Sequence, residues 1–369
     1  MRILHFFKTA LPETMGGVEQ VIHQLARSSS DYGGTSVVLS LSANPAPNAI
    51  EMDGYLAYQA KLNFQVASTG FSFSAISMFK RLAKDADIIH YHFPWPFMDV
   101  LHFACQIKKP TLVSYHSDIV NQQNLLKLYQ PLQSKFLKSV DRIVASSPNY
   151  VKSSTVLAPF ENKVDIIPIG LDKKSFPELS AERIEHWRNI VGKGFFLFVG
   201  VLRYYKGLHT LLDAAHQTNF PIVIVGSGPK ESELKAQAIR LGLSNVFFLG
   251  ALPDEDKVAL LNLSGCVVFP SHLRSEAFGI TLLEGAMFGK PLISCEIGTG
   301  TTYINIADET GLVVPPNDAI ALRKAMQLIW ENPMRASQMG FKAQQRFQQH
   351  FTSGKMVSAY VDVYRDVLR

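Results

Sequence analysis

Residues 2–26 read RILHFFKTALPETMGGVEQVIHQLA, and this stretch decides the fold class. Its first residues, Arg2–Phe7, form a short apolar run that predicts a buried strand. A loop that contains Gly16 and Gly17 follows. Beyond the loop, apolar residues recur at the spacing of one helical face: Val18, Val21, Ile22, Leu25 and Ala26. A strand, a glycine loop and an amphipathic helix in this order indicate a unit of a parallel α/β sheet.

The same alternation continues to the end of the chain, with helical patterns between short apolar runs. In the first half, the runs cover residues 2–7, 36–41, 87–91, 111–115, 142–145 and 164–167. In the second half, they cover residues 195–199, 222–225, 246–249, 267–269, 292–294 and 312–314. We therefore predict two series of parallel strands built from βαβ units.

Two such series are too many for one core, so the 369 residues predict two domains. The periodic pattern breaks after residues 167–170 into a polar stretch with Pro177, Gly192 and Gly194. We predict two doubly wound, Rossmann-like domains, residues 1–172 and 173–352, that face each other across a cleft. The terminal helix, residues 353–369, has an apolar face that needs a docking surface, for which we consider the first domain.

The composition excludes several classes of protein. Hydrophobic residues make up 47% and charged residues 18%, which is typical of a globular chain and not of a disordered one. A net charge of +5 is too weak to indicate nucleic acid as a partner. Three scattered cysteines argue against a disulfide framework and favour a reducing compartment. Neither a signal peptide nor a membrane-spanning segment is evident, so a cytoplasmic protein is expected.

Loops after three of the predicted strands carry residues suited to phosphate binding. The loop after residues 195–199 contains Arg203 and Lys206, and Gly226 follows the next strand. A guanidinium supplies paired hydrogen-bond donors to a diphosphate, and an ammonium supplies a point charge. Gly16 and Gly17 allow close backbone approach before a helix whose N-terminus favours an anion. Each loop alone is also compatible with an ordinary strand–helix connection.

The stretch SEAFGITLLEG, residues 275–285, carries the sharpest pattern of the chain. Glu276 lies in a loop, and Glu284 lies eight residues later in the predicted helix. Two carboxylates at this spacing are suited to hold sugar and ribose hydroxyls. Between them, backbone N–H groups at the predicted helix start would face a phosphate: Phe278, Gly279 and Ile280. The alternative interpretation is a pair of surface carboxylates.

Histidines follow or occupy two strands of the first half. His116 comes directly after residues 111–115, and His92 directly after residues 87–91. We favour His116 as a site residue and interpret His90, inside its strand, as a packed core residue. No carboxylate recurs at ligand spacing, so these histidines do not predict a metal site.

These loops together resemble the retaining glycosyltransferases of family four, which have the GT-B fold. The resemblance covers nearly the whole chain and rests on the following motifs: GGVE at 16–19, YHSD at 115–118, IPIGLD at 167–172, RYYKG at 203–207, VGSGP at 225–229, the two glutamates, and GLVVPPND at 311–318. It implies a hexosyltransferase with a nucleotide-sugar substrate and no metal cofactor. One departure is Val201, at a position where members often carry an arginine.

The resemblance also assigns roles to individual residues. It implies that Arg203 and Lys206 hold the diphosphate, that Glu276 contacts the transferred sugar, and that Glu284 contacts the ribose. It further implies that His116 lies beside the transferred sugar and that the Gly16–Gly17 backbone approaches the phosphate. Catalysis would then rest on His116, Glu276, Arg203 and Lys206, with the leaving phosphate as the base.

Residues 296–305, EIGTGTTYIN, are similar to mannosyltransferases that build bacterial O-antigen or exopolysaccharide chains. This similarity implies GDP-mannose as substrate, a glycan or lipid-linked acceptor, and a place in lipopolysaccharide biosynthesis. One other enzyme class remains as an alternative. A sugar-nucleotide 2-epimerase would share the two-domain shape, whereas the absent GxGxxG motif disfavours a nicotinamide dehydrogenase.

A basic region accounts for a charge equal to that of the whole protein. Residues 101–163 contain eight lysines and arginines against three acidic residues. Leucines and aromatic residues alternate with lysines in the predicted helix near residues 119–140. Such a helix is suited to lie on an anionic membrane surface as a peripheral contact. The alternative is a helix that packs on the core and exposes a basic face to solvent.

Overall fold

The computed structural model describes residues 1–67, 69–119 and 123–369, with only the backbone described at 123 and 124. The chain forms two compact units. The first unit contains Met1–Ile169 together with Ser353–Arg369, and the second unit contains Gly170–Thr352. Each unit has one large sheet flanked by helices, so the predicted α/β class with parallel sheets is confirmed. No helix among the described residues is long and apolar enough to cross a bilayer.

The first unit contains an eight-stranded sheet in the order β10-β9-β8-β7-β1-β2-β4-β3. All neighbours in it are parallel except β3 and β4. A separate antiparallel pair consists of β5 and β6. The strands are β1 Arg2–Phe6, β2 Thr35–Ser42, β3 Ile50–Met52, β4 Tyr55–Lys61, β5 Phe64–Val66, β6 Thr69–Phe71, β7 Ile88–Phe93, β8 Thr111–Tyr115, β9 Arg142–Ala145 and β10 Val164–Ile166.

Among the described residues, six α-helices belong to the first unit, and the last of them comes from the end of the chain. They are α1 Gly17–Arg27, α2 Phe73–Asp85, α3 Pro96–Ala104, α4 Gln123–Ser139, α5 Pro148–Ser153 and α14 Ser353–Val367. Alternation along the central strands places Ile3, Ile88 and Leu112 in one buried cluster with Tyr360 and Tyr364 of α14. The C-terminal helix therefore closes one side of the first sheet.

The second unit has a six-stranded, fully parallel sheet in the order β13-β12-β11-β14-β15-β16. Its strands are β11 Phe196–Val199, β12 Ile222–Val225, β13 Val246–Gly250, β14 Cys266–Phe269, β15 Leu292–Cys295 and β16 Gly311–Val314. Its helices are α6 Ala181–Val191, α7 Leu208–Ala215, α8 Glu231–Arg240, α9 Asp254–Leu263, α10 Ile280–Met287, α11 Thr301–Ile304, α12 Ala319–Glu331 and α13 Pro333–His350. The strand order reverses between β11 and β14, and in open α/β sheets ligands bind at such a switch point.

Candidate functional site

The loops after β11 and β14 meet at this switch point and bring two predicted site residues together. The Lys206 ammonium forms an ion pair with Oε2 of Glu276, and each side chain is only 12% exposed. Ser271 donates a hydrogen bond of 3.1 Å to the same carboxylate oxygen. Lys206 also lies 4.7 Å from the centre of the Phe269 ring. The result is a fixed, largely buried cation at the carboxyl edge of the second sheet.

Gly207 allows the two loops to approach this closely. Its φ is +69°, and a β-carbon there would lie 2.0 Å from the carbonyl oxygen of Pro270. Only glycine fits such a position, because any side chain would be both strained and in collision. The glycine therefore holds Lys206 against the loop that carries Glu276.

Arg203, the other predicted diphosphate ligand, is exposed. It lines a small surface cavity together with Tyr204, His209 and Lys230. The structure thus separates the two predicted cations into one that is fixed and one that faces solvent. Sequence reasoning missed Lys230, which also carries a positive charge at this cavity.

Gly226 has a structural role that the sequence did not indicate. Its N–H donates to the carbonyl of Gly250 at 2.7 Å, and a β-carbon there would lie 2.0 Å from the carbonyl oxygen of Gly200. The N–H of Gly226 is thus already engaged, and the predicted contact of this turn with the sugar nucleotide stays a prediction that would use its other atoms. Close packing of the loops after β11 and β12 explains the glycine.

The loop between Glu276 and Glu284 ends at the start of α10. Gly279 has a φ of +102°, and α10 begins at the next residue. The first N–H groups of a helix lack partners within the helix and carry partial positive charge. Thr281 donates to the carbonyl of Val199 at 3.0 Å, which ties this helix start to β11. The N–H groups of Phe278, Gly279 and Ile280 therefore remain the predicted phosphate contacts.

Glu284 lies inside α10 and is partly buried. Burial raises the pKa of its carboxyl to about 7, and Asp254 adds to that increase, whereas Lys257 and Lys206 oppose it. The carboxyl group thus changes its charge close to neutral pH. Its predicted contact with ribose hydroxyls would be sensitive to this change.

In the first unit, Gly16 precedes α1 and has an extended backbone, with a φ of −145°. A β-carbon at Gly16 would lie 2.6 Å from Oε2 of Glu19, and Thr14 donates to the other oxygen of that carboxylate at 3.3 Å. A carboxylate therefore already occupies the space beside the start of α1, where the sequence predicted a phosphate approach. The predicted contact between the Gly16–Gly17 backbone and a phosphate stays a prediction. A phosphate there would have to accommodate the negative charge of Glu19.

Four histidines form a cluster on one face of the first sheet. His92 lies within β7, so the expectation that it follows the strand is wrong. His5, His90 and His92 are 0% exposed, and their nitrogens lie within 4.8 Å of one another. His116 follows β8 and is partly exposed. Sequence reasoning missed His5. It could have been noticed as a titratable residue inside an otherwise apolar strand.

Hydrogen bonds engage nearly every nitrogen of the three buried rings. His5 Nδ1 lies 3.2 Å from His92 Nε2, and His92 Nδ1 lies 3.1 Å from His116 Nε2. His90 is bonded to Tyr364 and Ser114, at 2.7 Å each. A metal ion at this cluster would have to displace several of these bonds.

Burial lowers the pKa of His5 to about 3 and that of His116 to about 4. Burial, together with the neighbouring histidines, also holds the pKa of His90 and of His92 well below the usual range. All four rings are therefore neutral near pH 7.

Comparison with known proteins gives matches along most of the chain. The family described as Glycosyltransferase Family 4 matches residues 15–175, and the family described as Glycosyl transferases group 1 matches residues 181–346. D-rhamnosyltransferase WbpZ of Pseudomonas aeruginosa is 58% identical, over 96% of this chain and 93% of the relative. O-antigen chain mannosyltransferase C of Escherichia coli is 51% identical, over 100% and 99%.

Two solved structures share the fold at lower identity. Sucrose-phosphate synthase from Thermosynechococcus elongatus has a TM-score of 0.81 and 21% identity, over 99% of this chain and 98% of that one. Anabaena HepE in complex with UDP and glucose has a TM-score of 0.78 and 20% identity, over 98% and 99%.

Proposed function

Since the chain belongs to the glycosyltransferases, with a family 4 domain followed by a group 1 domain, we propose that it extends a bacterial surface polysaccharide by transferring a hexose with retention of anomeric configuration. The chain is a glycosyltransferase of the GT-B fold, and its relatives give no support to the 2-epimerase alternative. The observation that carries the proposed chemistry is the buried Lys206–Glu276 pair beside the start of α10.

In the proposed reaction, the bond between the anomeric carbon and the diphosphate oxygen breaks, and a bond to an acceptor hydroxyl forms on the same face. The hydroxyl proton passes to an oxygen of the leaving diphosphate. Negative charge grows on this diphosphate as it leaves, and the fixed Lys206 ammonium, Arg203 and the N–H groups at the start of α10 would stabilise it. No metal ion is assigned to this step.

We propose GDP-mannose as the sugar nucleotide, since the Escherichia coli relative is named a mannosyltransferase. A second candidate is the corresponding nucleotide of D-rhamnose, because the relative with 58% identity is named a D-rhamnosyltransferase. D-rhamnose is 6-deoxymannose, so the two candidates differ only in the hydroxyl at C6. A contact to that one hydroxyl would decide between them.

A panel of sugar nucleotides tests the proposal. The purified protein is incubated with GDP-mannose, GDP-D-rhamnose and UDP-glucose, with and without a lipid-linked oligosaccharide acceptor, and release of the nucleoside diphosphate is measured. We expect acceptor-dependent release of GDP and a product that keeps the anomeric configuration, as read by NMR. If UDP-glucose were the only sugar nucleotide to give release, the proposal of a GDP sugar as substrate would be wrong. No release from any of the three would contradict the proposed transfer reaction.

We also propose that α4 contacts an anionic membrane surface, where a lipid-linked acceptor would be found. Leu128 is 80% exposed and Leu125 is 51% exposed, and Lys127 lies between them. Further along the same helix, Phe136 and Leu137 are fully buried, whereas Lys135 and Lys138 are exposed. The first half of α4 thus presents apolar side chains outward, and the second half packs on the core with a basic outer face. Residues 120–122 of the predicted basic helix lie outside the described residues.

Liposome flotation tests the membrane contact. We expect the protein to float with vesicles that contain anionic lipid and to float much less with neutral ones. Leu128→Gln should weaken flotation roughly tenfold, since it removes an apolar side chain from the interface. Ile239→Gln, at an equally exposed position on α8, serves as the control and should have no effect. Equal flotation of both variants would contradict a specific role for α4.

A further inference from the structure

Three histidines of the first unit, His5, His92 and His116, are linked by hydrogen bonds into a relay. The relay ends at the partly exposed ring of His116. We propose that His92 is a positioning residue that fixes His116 as its Nδ1–H tautomer, with the direction set by His5 at the closed end of the relay. His116 would then present an N–H donor to a sugar hydroxyl. This inference rests on the proposed function, because it deepens the role of His116 there.

The relay runs diagonally across three neighbouring strands. His5 is paired with His90 and His92 is paired with Ser114, so each step moves two residues along the sheet. His5 lies in β1, His92 in β7, and His116 directly after β8. In order along the relay, His5 Nδ1 contacts His92 Nε2, and His92 Nδ1 contacts His116 Nε2. Both separations, 3.2 and 3.1 Å, are hydrogen-bond distances.

The relay has only two possible arrangements of its protons. A neutral imidazole carries one proton, on either Nδ1 or Nε2, and each hydrogen bond between two rings needs one proton. Either all three rings carry it on Nδ1, or all three carry it on Nε2. No mixed arrangement keeps both hydrogen bonds, so the closed end of the relay dictates the state of His116.

The closed end at His5 favours the first arrangement. His5 Nε2 is fully buried and has no hydrogen-bond partner among the residues that the structure describes. The Nε2–H arrangement would place an unsatisfied N–H at this nitrogen, whereas the Nδ1–H arrangement leaves only a lone pair there. A buried donor without a partner is the rarer and costlier of the two defects. His116 is therefore expected to accept at Nε2 and to donate from Nδ1.

The neighbouring ring supports the relay without being part of it. The centre of the His90 ring lies 4.2 Å from that of His92. Tyr364 and Ser114 hold both nitrogens of His90, and Ser114 is bonded in turn to Tyr360 at 2.7 Å. Because burial keeps the pKa of each relay ring low, the rings stay neutral and the proton count holds near pH 7.

NMR of protein that carries ¹⁵N-labelled histidine tests the proposal directly. Long-range ¹H–¹⁵N correlations distinguish Nδ1–H from Nε2–H in each neutral ring. We expect His116 to be Nδ1–H in the unaltered protein and to become a mixture of tautomers in His92→Phe. The same variant should lose at least about tenfold in kcat while the KM for the sugar nucleotide changes less than about twofold, because a wrong tautomer affects the reaction more than binding.

A substitution of His5, at the closed end, should reverse the direction of the hydrogen bonds along the relay. His5→Asp supplies an acceptor for His92 Nε2–H, and His116 should then shift to Nε2–H. If this variant does not fold, His5→Leu provides the test, since it moves the partnerless nitrogen to His92 and should leave His116 as Nδ1–H. Tyr364→Phe is the matched control: it removes a buried hydroxyl bonded to His90, outside the relay, and should alter neither the tautomer of His116 nor kcat.

An Nε2–H tautomer of His116 in the unaltered protein would overturn the proposal. So would an unchanged tautomer in His92→Phe, or a loss of kcat in Tyr364→Phe as large as that in His92→Phe. The tautomers are read without substrate. Failure of the relay is thus distinguishable from failure of the transferase proposal, which the sugar-nucleotide panel tests separately.

Discussion

Lys206 and Glu276 are 70 residues apart in the chain, and their direct pairing changes what a substitution at either position measures. Replacing Glu276 by alanine would leave a largely buried ammonium without its partner, and breaking such a pair is strongly destabilising. Loss of activity in that variant would mix chemistry with folding. A substitution that keeps the shape and the Ser271 hydrogen bond separates the two effects.

Glu276→Gln is that substitution. We expect kcat to fall at least about 100-fold, because Lys206 is no longer held by a charged partner at the site of charge development. The unfolding temperature should drop less than in Glu276→Ala, because the glutamine amide oxygen can still accept hydrogen bonds from Lys206 and Ser271. Steady-state kinetics and thermal unfolding measure the two effects. Glu231→Gln, which breaks a surface pair with Lys235, is the control and should alter neither; near-normal kcat in Glu276→Gln would reject the site assignment.

Glu284 predicts a pH dependence of substrate binding. Burial raises the pKa of this carboxyl to about 7, so it loses its charge as the pH falls through neutrality. If it accepts hydrogen bonds from the ribose, the KM for the sugar nucleotide should rise from pH 8 to pH 6. Glu284→Gln should show a high KM that no longer depends on pH over this range. The same pH dependence in both proteins would exclude Glu284 as the titrating group.

The raised pKa of the Glu284 carboxyl also predicts a pH dependence of stability, opposite in direction to that of substrate binding. A carboxyl whose pKa is raised by folding favours the folded state at low pH, and this advantage is lost as the pH rises from about 4 to about 7. Above pH 7, the buried charge is a net cost to folding. Glu284→Gln should therefore raise the unfolding temperature at pH 8 and have little effect at pH 4.

The histidines show the limit of residue-level prediction from sequence. His116 was recognisable because it follows a strand, and His92 was wrongly expected to follow one too, although it lies inside β7. His5 lies inside an apolar strand and looks like a core position. Their connection depends on the order of β1, β7 and β8 in the sheet, which the sequence does not display. Long-range pairings of this kind, like that of Lys206 with Glu276, become visible only once the strands are placed.

At the level of elements, sequence periodicity located the buried parallel strands to within one or two residues. It missed β3 to β6, which lie in residues 50–71. The strand β4, Tyr55–Lys61, contains Gln59 and Lys61 and is only partly buried, so it lacks the continuous apolar run that marks the central strands. Edge and hairpin strands depend on their neighbours for pairing, and their own sequence carries a weak signal.

The loop between β11 and α7 makes a specific prediction at Gly207. Gly207→Ala would place a methyl group against the Pro270 carbonyl and strain a left-handed backbone, so we expect a loss of at least about 2 kcal/mol in the free energy of unfolding. Lys206 should move with the loop in this variant, and kcat should fall because its ammonium is displaced. Gly242→Ala is the control: its φ is +65°, but open space surrounds it, so only about 1 kcal/mol should be lost. Denaturant unfolding of both variants measures the difference, and equal losses would contradict the collision.

At the scale of the whole molecule, one unit depends on a helix from the far end of the chain. Tyr364 is fully buried among residues of β1, β7 and β8, and its hydroxyl is bonded to His90. Tyr364→Ala should cost about 3–5 kcal/mol, because it leaves a cavity and removes the hydrogen-bond partner of His90 Nδ1. Calorimetry should show the loss in the first unit. Arg365→Ala, on the exposed side of the same helix, should change its stability by less than about 0.5 kcal/mol.

The arrangement of the first unit has a consequence for biosynthesis. Its sheet is complete once Ile169 has been made, yet α14 begins only at Ser353. At a translation rate of about 5–20 residues per second, the ribosome needs roughly 10–40 s for the intervening stretch. During that interval, the nascent sheet bears an uncovered apolar and histidine-rich side. We expect such a nascent chain to be a chaperone client until its final helix leaves the exit tunnel.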